Sequence, residues 1–443
     1  MYTKANYIIK TLLKNKFQAY FVGGYVRDHI LGIKSEDIDL VTNAKPDDLF
    51  RIFNNHKIKK VGESFGVILI DDIEVATYRK DNYFGLNDKN VEITYADTLQ
   101  EDLQRRDFTI NSLAMDYYGH IIDYCNGIND VNERIIKFVG SPEKRIIEDP
   151  NRIIRACRFV AKLNGFFEYN TFLKLKEYSK IAKNIAKERI RLEIMKSMKI
   201  EKSSIFFKSL YDIDLLKIIF YHLNKCYGME HGKYHKESIF EHSMICGDSI
   251  SSKNPLLKLT GYLHDCGKSI SFQGNGDQRS FINHEFVGSD VLKDELKKLT
   301  FSNDEINYIT NFTKIHMRGL KQSSPKAVRK LLKKLDEYKI SYKDLLKFKI
   351  ADRKANLMKN NYSYNDIKGF LIKYNIELNR EEQQSFMKLS ITGNDIMKLT
   401  NLDPGPKVGK IKKYLEEYIL EYPEKNNKED LFKIIYENIF YIY

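Results

Sequence analysis

"FVGGYVRDHILGIKSEDIDLV", residues 21–41, brings a glycine pair, an Arg-Asp pair and two alternating aspartates together. The run "AYFVGG" reads as a strand ending on Gly23 and Gly24. Without side chains, these two residues turn tightly and bring backbone N–H groups forward. "YVRDHIL" reads as a short helix ended by Gly32, and its N-terminus, with Arg27 nearby, suits a phosphate. "DIDLV" then reads as a second strand. Alternation puts Asp37 and Asp39 on one face and Ile38 and Leu40 on the other. Carboxylates spaced about 7 Å along a strand can share divalent ions, which would clamp the attacking and leaving oxygens of a phosphoryl transfer. Oxygen ligands beside a triphosphate favour Mg²⁺. A lone Asp-x-Asp is most often a solvated strand start. The glycine pair and Arg27-Asp28 upstream favour the phosphate reading.

The surrounding chain sets the limits. It has 443 residues, enough for two to four domains by length. Hydrophobic residues make up 42%, which supports a buried core and argues against wholesale disorder. The net charge is +13, which suits a polyanionic partner and equally fits a lysine-rich, soluble surface. The 5 cysteines form no CxxC pair, so they read as reduced thiols of a cytoplasmic protein. "MYTKANYIIKTLLKNKF" reads as an amphipathic helix and lacks the features of a signal peptide. No apolar run approaches the ~18 residues of a membrane span.

Short β-rich runs fill Gln18 to about Phe138, and helical periodicity dominates from about Ser141 onward. The expected fold class is therefore multidomain α+β, with an α/β head before a long helical remainder.

Two further clusters follow the first. In "QEDLQRRDFTINSLAMD", Arg105 and Arg106 precede Asp107. Asp107 either caps a helix or accepts a hydrogen bond from a ribose hydroxyl while Arg106 meets phosphate. In "EDPNRIIRACRF", Asp149 precedes Pro150, a good helix start, and Arg152, Arg155 and Arg158 recur along one side. That face is either a solvated one or a set of donors for a base edge.

"GGYVRDHILGIKSEDIDL", "RRDFTINSLAMD" and "EDPNRIIRACRF" closely resemble successive motifs of bacterial class II CCA-adding tRNA nucleotidyltransferases, which bacterial poly(A) polymerases share. "AKERIRLEIMKSM" resembles a later helical motif of that family. The resemblance implies a polymerase-β-like head (1–140), then a helical neck (141–230), a body (231–365) and a tail (366–443). It implies that Asp37 and Asp39 hold Mg²⁺, with Glu74 as a third carboxylate. Gly24 and Arg27 would contact the incoming ATP or CTP, Arg106 its phosphates and Asp107 its ribose. Asp149 and Arg152 would pair with the Watson–Crick edge of C or A, and Arg155 and Arg158 would support that site and the triphosphate. The implied partner is the 3′ end of tRNA. One departure concerns "RKDNYFGLNDKN", between Tyr78 and Val91. Many CCA-adding enzymes carry an arginine and a proline late in this loop, where this chain has Asn87, Asp88, Lys89 and Asn90. That leaves A-only addition as an alternative, and poly(A) synthesis is a further one because poly(A) polymerases share the head. A protein that only binds tRNA ends is an alternative of another class.

The helical half holds a second constellation: His242, adjacent His264 and Asp265, His284, His316 and Asp352. Imidazoles and carboxylates from separate helices can converge on a metal in a helical core. A single His-Asp pair is usually structural. The ordered set is similar to HD-domain metal-dependent phosphohydrolases, which implies Mg²⁺ or a divalent transition metal and a phosphate substrate. The run "ITGNDIMKLTNLDPGPKVGKIKKYLEEYI" resembles the tail of the same CCA-adding enzymes. There Gly405, Gly409, Lys407, Lys410, Lys412 and Lys413 either meet RNA phosphates or form a lysine-coated helix start.

Overall fold

The computed structural model describes residues 1–35, 37–61, 66–82, 92–274, 278–321, 324–378 and 384–442. Chain contacts divide it into two compact units. One comprises Met1–Asn224 with Lys298–Thr300, and the other comprises Lys225–Lys297 and Phe301–Tyr443.

The first unit is built on a mixed sheet. Its strands are β1 (Ala19–Val22), β2 (Asp39–Thr42), β3 (Ile58–Val61), β4 (Val67–Ile70), β5 (Ile73–Thr77), β8 (Leu113–Met115) and β9 (Ile121–Asp123), with a separate pair β6 (Arg79–Asn82) and β7 (Glu92–Tyr95). The sheet order is β3-β4-β5-β2-β1-β8-β9. β1 runs antiparallel to β2, with Val22 opposite Asp39, so the Gly23-Gly24 turn leaves β1 beside the start of β2. β2 runs parallel to β5, with Asp39 beside Glu74. Burial follows the strand period: Ile38 and Leu40 are in the core, whereas Asp37 and Asp39 are exposed. Val22, Val41, Tyr78, Leu103 and Ala114 pack on one face of the sheet.

The rest of this unit is helical, apart from a two-residue parallel pairing of Ile135–Ile136 with Phe166–Phe167. The helix Asn151–Leu163 is its spine. Ile153, Ile154, Cys157 and Val160 are buried along it, while the arginine side faces the head. Among the described residues, the second unit is a set of helices with one short antiparallel strand pair, Phe272–Gln273 with Ser280–Phe281. Leu257, Phe312, Val328, Leu345 and Phe348 form one cluster there, and Leu389, Ile396, Ile411, Leu415 and Leu431 form a second. Among the described residues, no helix is long and apolar enough to cross a membrane.

Candidate active site

Strand register places the carboxylates of the head. Asp39 opens β2, and Asp37 lies two residues before it, outside the strand but on the same side of the chain. The expectation that both lie within the strand is corrected to that extent. Asp39 faces a cleft but is backed by packed groups. That partial desolvation pushes its carboxyl above the usual range, Glu74 and then Asp37 add to the rise, and Arg106 opposes it. Three carboxylates with one opposing guanidinium form an oxygen-only donor set that favours a hard cation.

The cleft holds about 530 Å³ and is lined by Gly24, Arg27, Asp37, Asp39, Arg106, Asp107, Asp149, Arg152, Arg155 and Arg158. Every residue expected for nucleotide contact therefore meets one space. Gly23 enables this. It has φ +66°, and a Cβ there would stand 3.1 Å from Arg106 Nη1. A side chain would be strained in that backbone region and would crowd the guanidinium.

The cleft's cations are held by an internal lattice of carboxylates. Arg27 is buried, donating Nε and Nη2 to Asp28 at 2.8 and 2.6 Å and Nη1 to Asn111 at 2.6 Å. Asp102, fully buried, accepts from Arg105 at 2.8 and 3.0 Å and from Arg106 at 3.1 Å. Burial works against the Asp102 carboxylate, yet Arg106 and Arg105 prevail and hold it below its usual value. Asp107 accepts two bonds from Arg155, at 2.9 and 2.5 Å, and another from its neighbour's backbone N–H. Burial opposes its charge as well, and Arg155 keeps it lowered. The expected ribose contact is thus a carboxylate already engaged by Arg155. Arg158 donates to Glu193 at 2.5 Å and lies over the Phe159 ring at 4.4 Å.

The side chains of Asp149 and Arg152 are each engaged by another residue. Asp149 takes a two-pronged contact from Arg189 at 2.9 and 2.8 Å, and Arg152 donates to Glu148 at 2.7 Å. Arg189 and Glu193 went unassigned in the sequence, although both lie in "AKERIRLEIMKSM". Their spacing, one on each side of a helical turn, is the signal that they would serve the same helix. Asn87, Asp88, Lys89 and Asn90 lie outside the described residues.

The second unit gathers all six residues of the other constellation. Ser238 and Glu241 form a reciprocal cap that starts the helix Ile239–Asp248 and sets His242 in its first turn. Gly267 allows the His264-Asp265 turn to approach the helix beginning at His284. A Cβ on it would lie 2.1 Å from the His284 carbonyl oxygen. Asp265 Oδ2 is 3.3 Å from His264 Nε2 and 3.9 Å from His242 Nε2, and Oδ1 is 3.4 Å from His284 Nε2 and 3.6 Å from His316 Nε2. Asp352 Oδ1 lies 3.1 Å from His242 Nε2. Burial opposes the Asp265 charge, but His264 and Lys268 keep it well below the usual carboxylate value. His316 is held well below the ordinary imidazole value by burial and by His264. His231, His235 and Glu237 join the cluster unforeseen, as does Lys268, whose Nζ is 2.7 Å from Asp265 Oδ2. The spacing His231-x3-His235-x-Glu237 was the available signal. In the tail, Lys407, Lys410, Lys412 and Lys413 are exposed on or beside the start of the helix Pro406–Glu421.

Three known families match the chain in succession. Residues 19–137 match the Poly A polymerase head domain, 166–226 the "Probable RNA and SrmB- binding site of polymerase A", and 286–435 the tRNA nucleotidyltransferase domain 2. The CCA-adding enzyme of Lactobacillus helveticus is 38% identical over 200 residues, 44% of this chain and 50% of that protein. The CCA-adding enzyme of Staphylococcus aureus is 38% identical over 217 residues, 47% of this chain and 54% of that protein. The match thus spans about half the length of these curated relatives. The Bacillus stearothermophilus CCA-adding enzyme in complex with CTP superposes with a TM-score of 0.70 at 22% identity, over 99% of this chain and 97% of that one. The Thermotoga maritima CCA-adding enzyme complexed with tRNA gives a TM-score of 0.54 at 18% identity, over 98% and 95%. These likenesses establish a common fold. The head, RNA-binding and second-domain matches follow one another along the chain, which is thus similar over those residues to poly(A) polymerases and tRNA nucleotidyltransferases.

Proposed function

We propose that this chain adds C, C and A to the 3′ end of tRNA from CTP and ATP without a nucleic-acid template. The observation that carries the reading is Asp37 and Asp39 on the wall of a cleft of about 530 Å³ lined by arginines, with Glu74 beside Asp39 on the neighbouring strand. Asp37 and Asp39, with Glu74 beside them, are the residues that would hold Mg²⁺. When bound there, the ions would lower the pKa of the RNA hydroxyl and neutralise charge developing on the phosphates. The terminal 3′-hydroxyl oxygen forms a bond to the α-phosphorus, the α–β bridging P–O bond breaks, pyrophosphate leaves and the hydroxyl proton passes to solvent. Arg106, Arg155 and Arg158 receive the triphosphate, and Gly24 and Arg27 shape its seat.

Asp149 and Arg152 read the base. C and A both offer an amino donor beside a ring-nitrogen acceptor, whereas U and G offer the reverse pattern. An aspartate acceptor and an arginine donor accept the first pair and refuse the second. Arg189 and Glu148 hold these two side chains in place. On this reading the domains are a head (1–140), neck (141–230), HD-type body (231–365) and RNA-binding tail (366–443), and the protein works in the cytoplasm on tRNA. Labelled single nucleotides offered to tRNAs ending before the first C, after both Cs, or complete test the assignment. CMP addition to the first and AMP addition to the second support it. AMP addition only to tRNA ending after both Cs makes it an A-adding enzyme, long A tails on varied RNAs make it a poly(A) polymerase, and binding without addition makes it an end-binding protein.

A second activity is favoured by one observation in the second unit. Among the described residues, Asp265 Oδ1 is buried among imidazoles without a hydrogen-bond partner. We read His242, His264, Asp265, His284, His316 and Asp352 as a divalent-metal centre that hydrolyses phosphate esters. Four imidazoles with carboxylates suit a transition metal better than Mg²⁺. Unchanged phosphatase and phosphodiesterase turnover in His264→Ala with Asp265→Ala would count against it.

A further inference from the structure

The arginine row of the helix Asn151–Leu163 ends on a lysine. Arg155, Arg158 and Lys162 follow at intervals of three and four residues, so they share one face. All three line the cleft that holds Asp37 and Asp39. Lys162 stands in the last turn and reaches the short helix Gly24–Ile30, where its Nζ donates to Asp28 Oδ2 at 3.2 Å.

Charge is unevenly matched along this face. Arg155 and Arg158 meet two carboxylates, those of Asp107 and Glu193. Lys162 has to share the one it meets. Asp28 Oδ1 already accepts Nε and Nη2 of Arg27, at 2.8 and 2.6 Å, so one carboxylate serves two cations. The Asp28 side chain is 7% exposed and that of Lys162 36%, so the carboxylate is sealed in protein while the ammonium is open to the cleft. Burial lowers the Lys162 pKa, and Arg27 and then Arg158 add to the fall against the pull of Asp28. A cation crowded by other cations gains from an anion beside it.

Position decides which part of a nucleotide that anion is. Asp149 lies just before the helix and Arg152 in its first turn, at the opposite end from Lys162. At 1.5 Å per residue, the step from Arg152 to Lys162 covers about 15 Å. An extended nucleoside triphosphate covers a similar distance from base edge to terminal phosphate. With the base at Asp149 and Arg152, the inner phosphates meet the arginines and the last one reaches Lys162.

We infer that Lys162 is a specificity-determining residue: its ammonium binds the terminal phosphate of CTP or ATP and makes the cleft prefer triphosphates to diphosphates. This rests on the nucleotide reading of the cleft and adds the residue that distinguishes three phosphates from two. Asp28 is its positioning residue, holding the ammonium at that end of the row.

Calorimetric titration of the full chain with CDP and with CTP, in Mg²⁺ and without tRNA, tests this. The unaltered protein should bind CTP more tightly than CDP. In Lys162→Met the affinity for CTP should fall about tenfold, the loss of one charge-assisted hydrogen bond, while that for CDP holds. Lys162→Arg should restore the preference. Equal binding of the two by the unaltered protein, equal losses in Lys162→Met, or an undiminished preference in that variant would each overturn the inference and leave the nucleotide reading standing. An unaltered protein that binds neither nucleotide overturns both. Where Lys162→Met does not fold, reductive methylation of the unaltered protein, read by mass spectrometry, decides: CTP shields Lys162 more than CDP does if the contact is made, and equal shielding overturns it.

Discussion

Asp39 and Glu74 stand side by side on adjacent parallel strands, the first residue of β2 against the second of β5. Neighbouring carboxylates raise the energy of each other's charged form, and a divalent ion relieves it. This is why a pair set 35 positions apart in the sequence belongs to one site.

Replacing Glu74 by Gln removes one of the charges that raise Asp39. In metal-free protein the Asp39 carboxyl should then titrate at a lower pH than in the unaltered chain. Carbon-detected NMR of labelled aspartate reads this directly. An unmoved titration would mean that the Glu74 carboxylate does not act on Asp39.

Gly23→Ala should cost stability and nucleotide affinity together. Its φ of +66° disfavours alanine, and the new methyl would press on Arg106. Strained backbone of this kind costs on the order of 1–3 kcal/mol. Urea unfolding measures the first effect and the KM for CTP the second. A variant as stable as the parent, with an unchanged KM, would remove Gly23 from the account.

Asp102→Asn tests the lattice that holds Arg105 and Arg106. Breaking a buried pair costs roughly 3–5 kcal/mol, and an amide that still accepts hydrogen bonds should fall toward the lower figure. The Asp102 carboxyl is lowered in the folded state, so its contribution is complete above the ordinary carboxylate value of about 3.9 and fades as pH falls through the folded value. The stability gap between parent and variant should therefore be wide near neutrality and close below about pH 4. A gap independent of pH would show that charge is not its source.

The ten expected residues that line the cleft of the first unit were legible because each motif is local. A glycine pair before a short helix, an Asp-x-Asp at a strand start and three arginines at helical spacing announce themselves within a few residues. Their partners were not legible. Asp107 meets Arg155 across 48 positions, and Asp149 meets Arg189 across 40. Such pairings follow from packing of the helix Asn151–Leu163 against its neighbours, which periodicity alone does not specify. That is also why Asp107 and Asp149 looked like free acceptors in the sequence and prove to be clamped. His231 and His235 escaped notice for a related reason. They lie before the capped helix Ile239–Asp248, in a segment without helical or strand rhythm, and only the fold returns them to His242.

The most direct measurement of the central claim is single-turnover incorporation of labelled CMP into tRNA lacking its terminal CCA, by Asp37→Ala with Asp39→Ala. The account predicts loss of incorporation with tRNA affinity nearly unchanged, because the arginine-lined cleft and basic helices remain. Incorporation at the parent rate in that variant would contradict it.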